Sequence, residues 1–582
     1  MLLKISNLRP TQDLTLPNKC GCPKTGLWHL GLSASSTMAH PERPRALRGG
    51  VEGPRLLVML ALAVLVLGIT PPEALAAPSS NSTPELRTAR ALDEAAKTGP
   101  VALRGFLYAM PKGTDLHYHL SGGIYAETFI HDAAQDGLCV DPIALAFAKP
   151  MAQTRSLPPQ PVCGEGKVRA DSVHKDQHLY DQLIDSFSMR TFVPITGKSG
   201  HDQFFDTFER FEGTSHAHLG EWLDEIATRA GAQNEQYLEI MHTPHQWTDG
   251  AALAEKIGYH ADFAEYRKLL LDAGLGSAIP AIRADLDRAE SERNELEECG
   301  KPDAQPACTV QIRYLYQVLR AMPPDSVFAQ ILLGFELASA DPRVVGINLV
   351  QPEDGYVAMT DYRLHMQMID ALHTFYPKVH ITLHAGEIAL GLVPPEGLKF
   401  HIREAIEQGH AERIGHGVDI MDEDRPYDLL KEMAARRIMV EINLTSNDVI
   451  LNVKGNDHPL LRYRQYGVPV ALSTDDEGVS RIDLTNEYVR AVATYHFTYP
   501  ELKDMVRTGL EHSFLPGDSF WQQSPPSETN PGDTFTKPAA ACAGQLGKEQ
   551  PTGKCADFLK GSQKATQQFE LERRFKVFEA SF

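Results

Sequence analysis

Several things are scarce in this chain, and each scarcity closes a door. Basic residues are outnumbered, with Lys+Arg 56 against Asp+Glu 76 and a formal net charge of −20, so nucleic acid and anionic membrane surfaces are poor partners. After residue 76 no two cysteines stand in a C-x-x-C spacing, which removes the thiolate zinc ribbons. No apolar run reaches the roughly 20 residues of a comfortable membrane span, and no internal repeat is evident. With 42% hydrophobic and 23% charged residues the chain is neither disordered nor fibrous, and at 582 residues it is too long for a small disulfide-only scaffold. What remains is one large domain with insertions, or two to four smaller ones, acting on small molecules.

The N-terminal 76 residues read as an address. Met38 opens a stretch carrying Arg43, Arg45, Arg48 and Arg55, followed by the apolar run 56–69 and then Ala74-Leu75-Ala76. A basic region, a short apolar core and a small-x-small site in that order describe a secretory signal peptide cut after Ala76; an uncleaved anchor is the competing reading. The product is then secreted or periplasmic, with no stable membrane association. Removing residues 1–76, with eight Lys/Arg and four Asp/Glu, leaves it more acidic still. Cys20 and Cys22 leave with that segment. The other six cysteines stand in three local pairs, Cys139 with Cys163, Cys299 with Cys308, and Cys542 with Cys555. Six cysteines allow 15 connectivities, so local pairing rests on proximity, and disulfides suit an oxidising compartment.

Beyond the leader, 77–110 reads as a helical extension ending at Pro111-Lys112-Gly113. Strand-like runs follow at 114–119, 237–242, 344–350, 379–384, 413–420, 438–444 and 468–473, with helical stretches such as 361–375 and 397–408 between them. Runs like Val344-Val345-Gly346-Ile347-Asn348-Leu349-Val350 are apolar on both faces, as in a covered parallel sheet. Alternation of this kind over 111–516 predicts an α/β fold, a (β/α)8 TIM barrel. Two stretches read as insertions, 132–200 and 285–308, and 517–582 reads as a C-terminal extension closing in a helix over 556–578.

The chemistry collects where strands end. His117-Tyr118-His119 ends the first run, and residues two apart in a strand share a face. Alone the pattern means little, since 23 histidines in 582 positions give about one H-x-H by chance. His216-Ala217-His218 is such a chance match, in a helical stretch where the two rings point to different sides. Three further motifs lift the first: His384-Ala385-Gly386-Glu387, Arg413-Ile414-Gly415-His416-Gly417 and Ser473-Thr474-Asp475-Asp476, each at a strand end, where barrel enzymes keep their active sites. Three histidines and a carboxylate suit a zinc site with an open position for water.

The ordered set H-x-H, H-A-G-E, R-I-G-H-G and S-T-D-D resembles the adenosine deaminase family over about 107–516. Met110-Pro111-Lys112-Gly113 ahead of H-x-H, the leader and the cysteine-bearing insertion are similar to its secreted branch, the adenosine deaminase-related growth factors. The resemblance implies one zinc ion per chain held by His117, His119, His384 and Asp475. Glu387 would protonate purine N1 while zinc-activated water attacks C6, His416 would orient and help deprotonate that water and stabilise the developing charge, and Asp476 would hydrogen-bond N7. Adenosine, and with it 2′-deoxyadenosine, would become inosine and ammonia. Ser446 and Asn447 resemble a strand-end motif near the site, with backbone capping as the alternative role. The implied partner is a purine nucleoside, and the segment before Pro111 offers a homodimer contact by analogy.

Three positions depart from the family pattern. Ser121 stands where an aspartate usually helps hold the ribose. Gln351 replaces a glycine whose N–H meets purine N3, and its side chain narrows or reshapes the pocket. Glu477 replaces a proline. Catalysis is therefore better supported than the identity of the aminopurine. The strand 346–351 offers no lysine for a binuclear centre, and the cytidine-deaminase signature is missing. A secreted binding or signalling protein on the same scaffold is the alternative from another class, but this chain keeps the full ligand set and Glu387.

Overall fold

The computed structural model describes residues 83–153, 160–195, 197–523 and 533–582; the leader reading, with Cys20 and Cys22, lies outside them. Strands that are apolar on both faces must be covered on both sides, and eight such strands form one sheet in chain order. They are β1 (Gly113–His119), β2 (Glu235–His242), β3 (Gln311–Leu319), β4 (Val344–Val350), β5 (His380–Ala385), β6 (Arg413–His416), β7 (Met439–Ile442) and β8 (Val470–Leu472). Every neighbouring pair is parallel. The last strand returns to the first just past its end: Tyr118 bridges Asp475, the His119 N–H donates to the Asp475 carbonyl at 2.9 Å, and the Asp475 N–H donates to that of His117 at 2.9 Å. Asp115 tightens this seam by accepting from the Thr474 N–H at 2.9 Å and its hydroxyl at 2.7 Å. The sheet is a (β/α)8 barrel.

Two helices precede it, α1 (Pro84–Thr98) and α2 (Pro100–Ala109). They read as one stretch in sequence, but Gly99 takes φ 127° and Pro100 opens a new helix, the positions these residues favour at helix ends and starts. The covering layer includes α3 (Ala126–Gln135), α4 (Leu219–Ala232), α5 (Ile279–Leu296) and α6 (Pro324–Ala340). In α6 every residue from Ser326 to Phe335 is buried, as a helix apolar all round must be.

Three boundaries differ from the sequence reading. β3 is missing from it, because Gln311, Arg313 and Gln317 sit at its half-buried positions and mask the alternation. Residues 285–296 are not an insertion but most of α5, whose core stripe Ile282, Leu286, Ala289 and Arg293 is too sparse to stand out among charges. The closing helix is two, Lys554–Lys560 and α7 (Gln563–Glu579), separated at Gly561 and restarted by Ser562, whose hydroxyl accepts from the Ala565 N–H.

The three disulfides are the local ones, Cys139–Cys163, Cys299–Cys308 and Cys542–Cys555. The third belongs to a small core of its own with Phe520, Trp521, Phe535 and Phe569. Helix α7 lies with the N-terminal helices: Phe106 meets Phe578 edge-on at 5.3 Å, and Lys503 pairs with both Glu85 at 2.9 Å and Glu579 at 2.6 Å. Among the described residues no helix is long and apolar enough to cross a membrane.

Candidate active site

Parallel strands deliver all their C-terminal ends to one rim, and three of those ends, of β1, β5 and β8, bring four ligand atoms into a single cluster. His117 Nε2 lies 3.0 Å and His119 Nε2 lies 3.1 Å from His384 Nε2, and both lie 3.2 Å from Asp475 Oδ1. Ligands held about 2.0–2.1 Å from a tetrahedral zinc are separated by about 3.3 Å. The fit can be tested without an ion, because the other nitrogen of each ring is already engaged. His117 Nδ1 donates to Glu441 at 2.6 Å, His119 Nδ1 to the Gln317 side-chain oxygen at 2.9 Å, and His384 Nδ1 to that of Asn348 at 3.0 Å. Asn348 also accepts from the His384 backbone N–H at 2.9 Å. With the protons on Nδ1, three Nε2 lone pairs and the buried, otherwise partnerless Asp475 Oδ1 converge with no hydrogen between them. A cation at that point would satisfy all four atoms at once, and outer partners of this kind normally orient zinc-binding histidines.

Below the cluster the barrel interior is charged. Glu441 accepts from Arg413 Nε at 2.6 Å and from the Thr382 hydroxyl at 2.9 Å, and Arg413 reaches Glu239 at 2.7 Å while lying 3.8 Å over the Phe514 ring. Burial opposes the charge on Glu441, but Arg413 and His117 hold its carboxyl down at about 2. A fully buried Arg413 is tolerable only because both carboxylates meet it.

Glu387 follows β5 and is positioned through its backbone. The Glu353 carboxylate accepts from the N–H groups of Gly386 at 3.0 Å and Glu387 at 2.8 Å, and is itself paired with His401. Against the push of burial, His401, Arg320 and those amides keep Glu353 at about 2. Glu387 is opposite in character: burial, and then the charges of Asp475 and Glu353, push its carboxyl well above the usual range. Its Oε1 lies 3.5 Å from His416 Nδ1, and burial lowers the His416 ring to about 3.

Three residues at this rim, Gln351, His416 and Asp475, take positive φ of 82°, 68° and 66°, a conformation that side chains other than glycine adopt at a cost and that gathers at functional sites. Asp476 is buried with one oxygen unpartnered, and burial pushes it up to about 7. A Cβ at position 122 would stand 1.5 Å from that oxygen, so Gly122 is what admits the Asp476 carboxyl. Ser121, half-buried, sits in the one-turn helix Leu120–Gly123 directly after His119. Gln351 turns its side-chain oxygen onto the Ala321 N–H at 2.9 Å while its carbonyl accepts from Arg320 at 3.0 Å, so the side chain is held by the loop after β3. Glu477 accepts from the Tyr118 hydroxyl at 2.7 Å and from Arg229 of α4 at 3.0 Å, which pins the Asp475-Asp476 turn to β1. Ser446 is buried, and Asn447 contacts His416 Nδ1 at 2.9 Å.

The second H-x-H goes elsewhere. His218 is held on both nitrogens, by Glu221 at 2.8 Å and Asp136 at 3.1 Å, and His216 faces His245 across 5.3 Å. Sequence reasoning missed Glu353, Gln317 and Asn348 as supports of the site. Glu441 was given no role, and β3 was not recognised at all.

Comparison with known proteins adds the following. The family model named adenosine deaminase matches residues 225–520. An adenosine deaminase of Pectobacterium atrosepticum is 35% identical over 180 residues, 31% of this chain and 48% of that protein. One from Salmonella schwarzengrund is 39% identical over 140 residues, 24% of this chain and 39% of its own. The alignments thus span less than half the length of these curated relatives. Among solved structures, the Arabidopsis N6-mAMP deaminase covers 71% of this chain and 96% of itself at 20% identity, with a TM-score of 0.46. The match of the family model extends over just over half of the 582 residues, and the chain belongs to the adenosine deaminase family.

Proposed function

We propose that this chain is a secreted or periplasmic zinc-dependent deaminase that converts adenosine, and 2′-deoxyadenosine, with water into inosine and ammonia. The observation that carries the reading is the convergence of the His117 and His119 Nε2 atoms on His384 Nε2 and Asp475 Oδ1 at 3.0–3.2 Å, beside the buried Glu387 carboxyl. Zinc held there would supply a nucleophilic water at neutral pH. The rest is done by side chains of this chain. Glu387, kept protonated by its burial, gives its proton to purine N1 as C6 is attacked. Asp476, raised to about 7, can hold the hydrogen that the N7 lone pair needs. His416 orients the water; the Asp475 carboxylate takes up one of the water's protons and passes it to the C6 amino group, which leaves as ammonia, and the remaining hydroxyl proton restores Glu387 as the C6 carbonyl forms.

The test is turnover by metal-analysed protein lacking residues 1–76, followed as the change in ultraviolet absorbance from adenosine to inosine. Turnover with one zinc per chain, abolished by chelation, is the expected result; bound zinc without turnover of any aminopurine nucleoside would sink the reading. A second reading, the same chemistry on another aminopurine, is favoured by Ser121, which is too short to replace a ribose-binding aspartate. A panel of aminopurines distinguishes the two.

A further inference from the structure

A chain of hydrogen bonds leads from His416 through Asn447, on the helix Leu444–Leu451, to His458, and its polarity is set by a group that can only donate. The backbone N–H of Leu460 donates to His458 Nδ1 at 3.2 Å. His458 is buried, and burial lowers its ring to about 3, so it is neutral and carries its one proton on Nε2. That proton goes to the Asn447 side-chain oxygen at 3.0 Å. The Asn447 amide nitrogen is thereby turned toward His416 and donates to its Nδ1 at 2.9 Å. The Asn443 amide lies 3.4 Å from both nitrogens of the His416 ring, too evenly to select either.

We infer that Asn447 and His458 are positioning residues that lock His416 with its proton on Nε2, so that His416 meets the reacting water as a hydrogen-bond donor and not as its base. A ring whose Nδ1 accepts has only one nitrogen left for its proton. As a donor, His416 stabilises negative charge developing on the attacking oxygen, a role worth far more in a dry pocket than in water. The inference rests on the deaminase reading for its consequence, although the proton's location stands independently of any substrate.

The experiment is nitrogen-15 NMR of histidine-labelled, zinc-loaded protein, with His416 assigned from its lost signal in His416→Asn. The expected spectrum has a proton-bearing Nε2 and a bare Nδ1. Asn447→Asp replaces the donor by an acceptor, and should move the proton to Nδ1 and lower kcat by about 100-fold or more with KM changed less than about two-fold. His458→Leu leaves the Asn447 amide free to rotate and should lower kcat by about 10-fold; His458→Gln, which returns an amide donor near the Nε2 position, should recover most of it. A proton on His416 Nδ1 in the parent overturns the inference, as does a metal-replete Asn447→Asp protein with parental kcat. If Asn447→Asp does not fold, the parental spectrum still decides. A parent with the expected spectrum but no turnover would refute the deaminase reading and leave the proton assignment standing.

Discussion

The two H-x-H sequences, His117-Tyr118-His119 and His216-Ala217-His218, are the same pattern with opposite fates. In β1 the rings share one face of a strand: their Nδ1 atoms are held by Glu441 for His117 and Gln317 for His119, and both Nε2 atoms turn to the same point, beside His384 Nε2 and Asp475 Oδ1. In the short turn ahead of α4 the rings diverge, and His218 has carboxylates on both nitrogens. What separates the two is whether the second nitrogens converge: in β1 they join a third imidazole and a carboxylate at one candidate metal site, whereas those of the second pair go to different neighbours. The difference lies in backbone period and in acceptors from distant strands.

The strongest way to break this comparison is to exchange the fates by mutation. His384→Ala should lose bound metal and at least about 1,000-fold of activity together, whereas His218→Ala should keep one metal per chain. Metal analysis alongside turnover reads both, and metal loss in the His218 variant would refute the distinction. Glu387→Gln sharpens it from the other side: metal content should hold while kcat falls by about 100- to 10,000-fold. Next come the partners behind the rings. Gln317→Leu or Asn348→Leu should weaken metal affinity by about 10- to 100-fold, measured by competition with a chelator, and an unchanged affinity would mean that Nδ1 engagement is incidental.

The smaller effects concern stability. Glu353 is normally a carboxylic acid of about 4.5 held at about 2 in the folded protein. A depressed folded value means that stabilisation is complete above about 4.5 and is lost as pH falls through about 2, amounting to about 3 kcal/mol across that window. Glu353→Gln should flatten the denaturant midpoint between pH 5 and 2, and a curve as steep as the parent's would rule out this carboxylate as the cause. His218→Ala should cost about 1 kcal/mol by unpairing the half-buried Asp136 and Glu221, visible as a lowered Tm alone.

The barrel and the ligand set were legible because each depends on a few residues in local sequence: strands apolar on both faces, and ligands within two to four positions of a strand end. What was not legible depends on pairings between distant segments. Glu353 acts on an amide 34 residues away and Glu441 on an imidazole 324 residues away, so neither has a local signature. β3 was hidden by Gln311, Arg313 and Gln317, one of which turns out to hold His119. The charged run at 285–296 looked like a loop because a helix facing solvent over most of its circumference needs only one buried residue per turn. Gly122 is a further case: nothing in the local sequence marks it, and only the close approach of the Asp476 carboxyl explains it.

The seam where β8 meets β1 has a consequence for when the candidate metal site can form. Asp475 is both the residue that bridges the first strand and a ligand atom of the cluster, and the contacts beside it join positions 359 residues apart. A chain still being made, or still being threaded through a pore, therefore has no site to load. Any ion capture would follow barrel closure, and the compartment that hosts the finished fold would be the one to supply the ion.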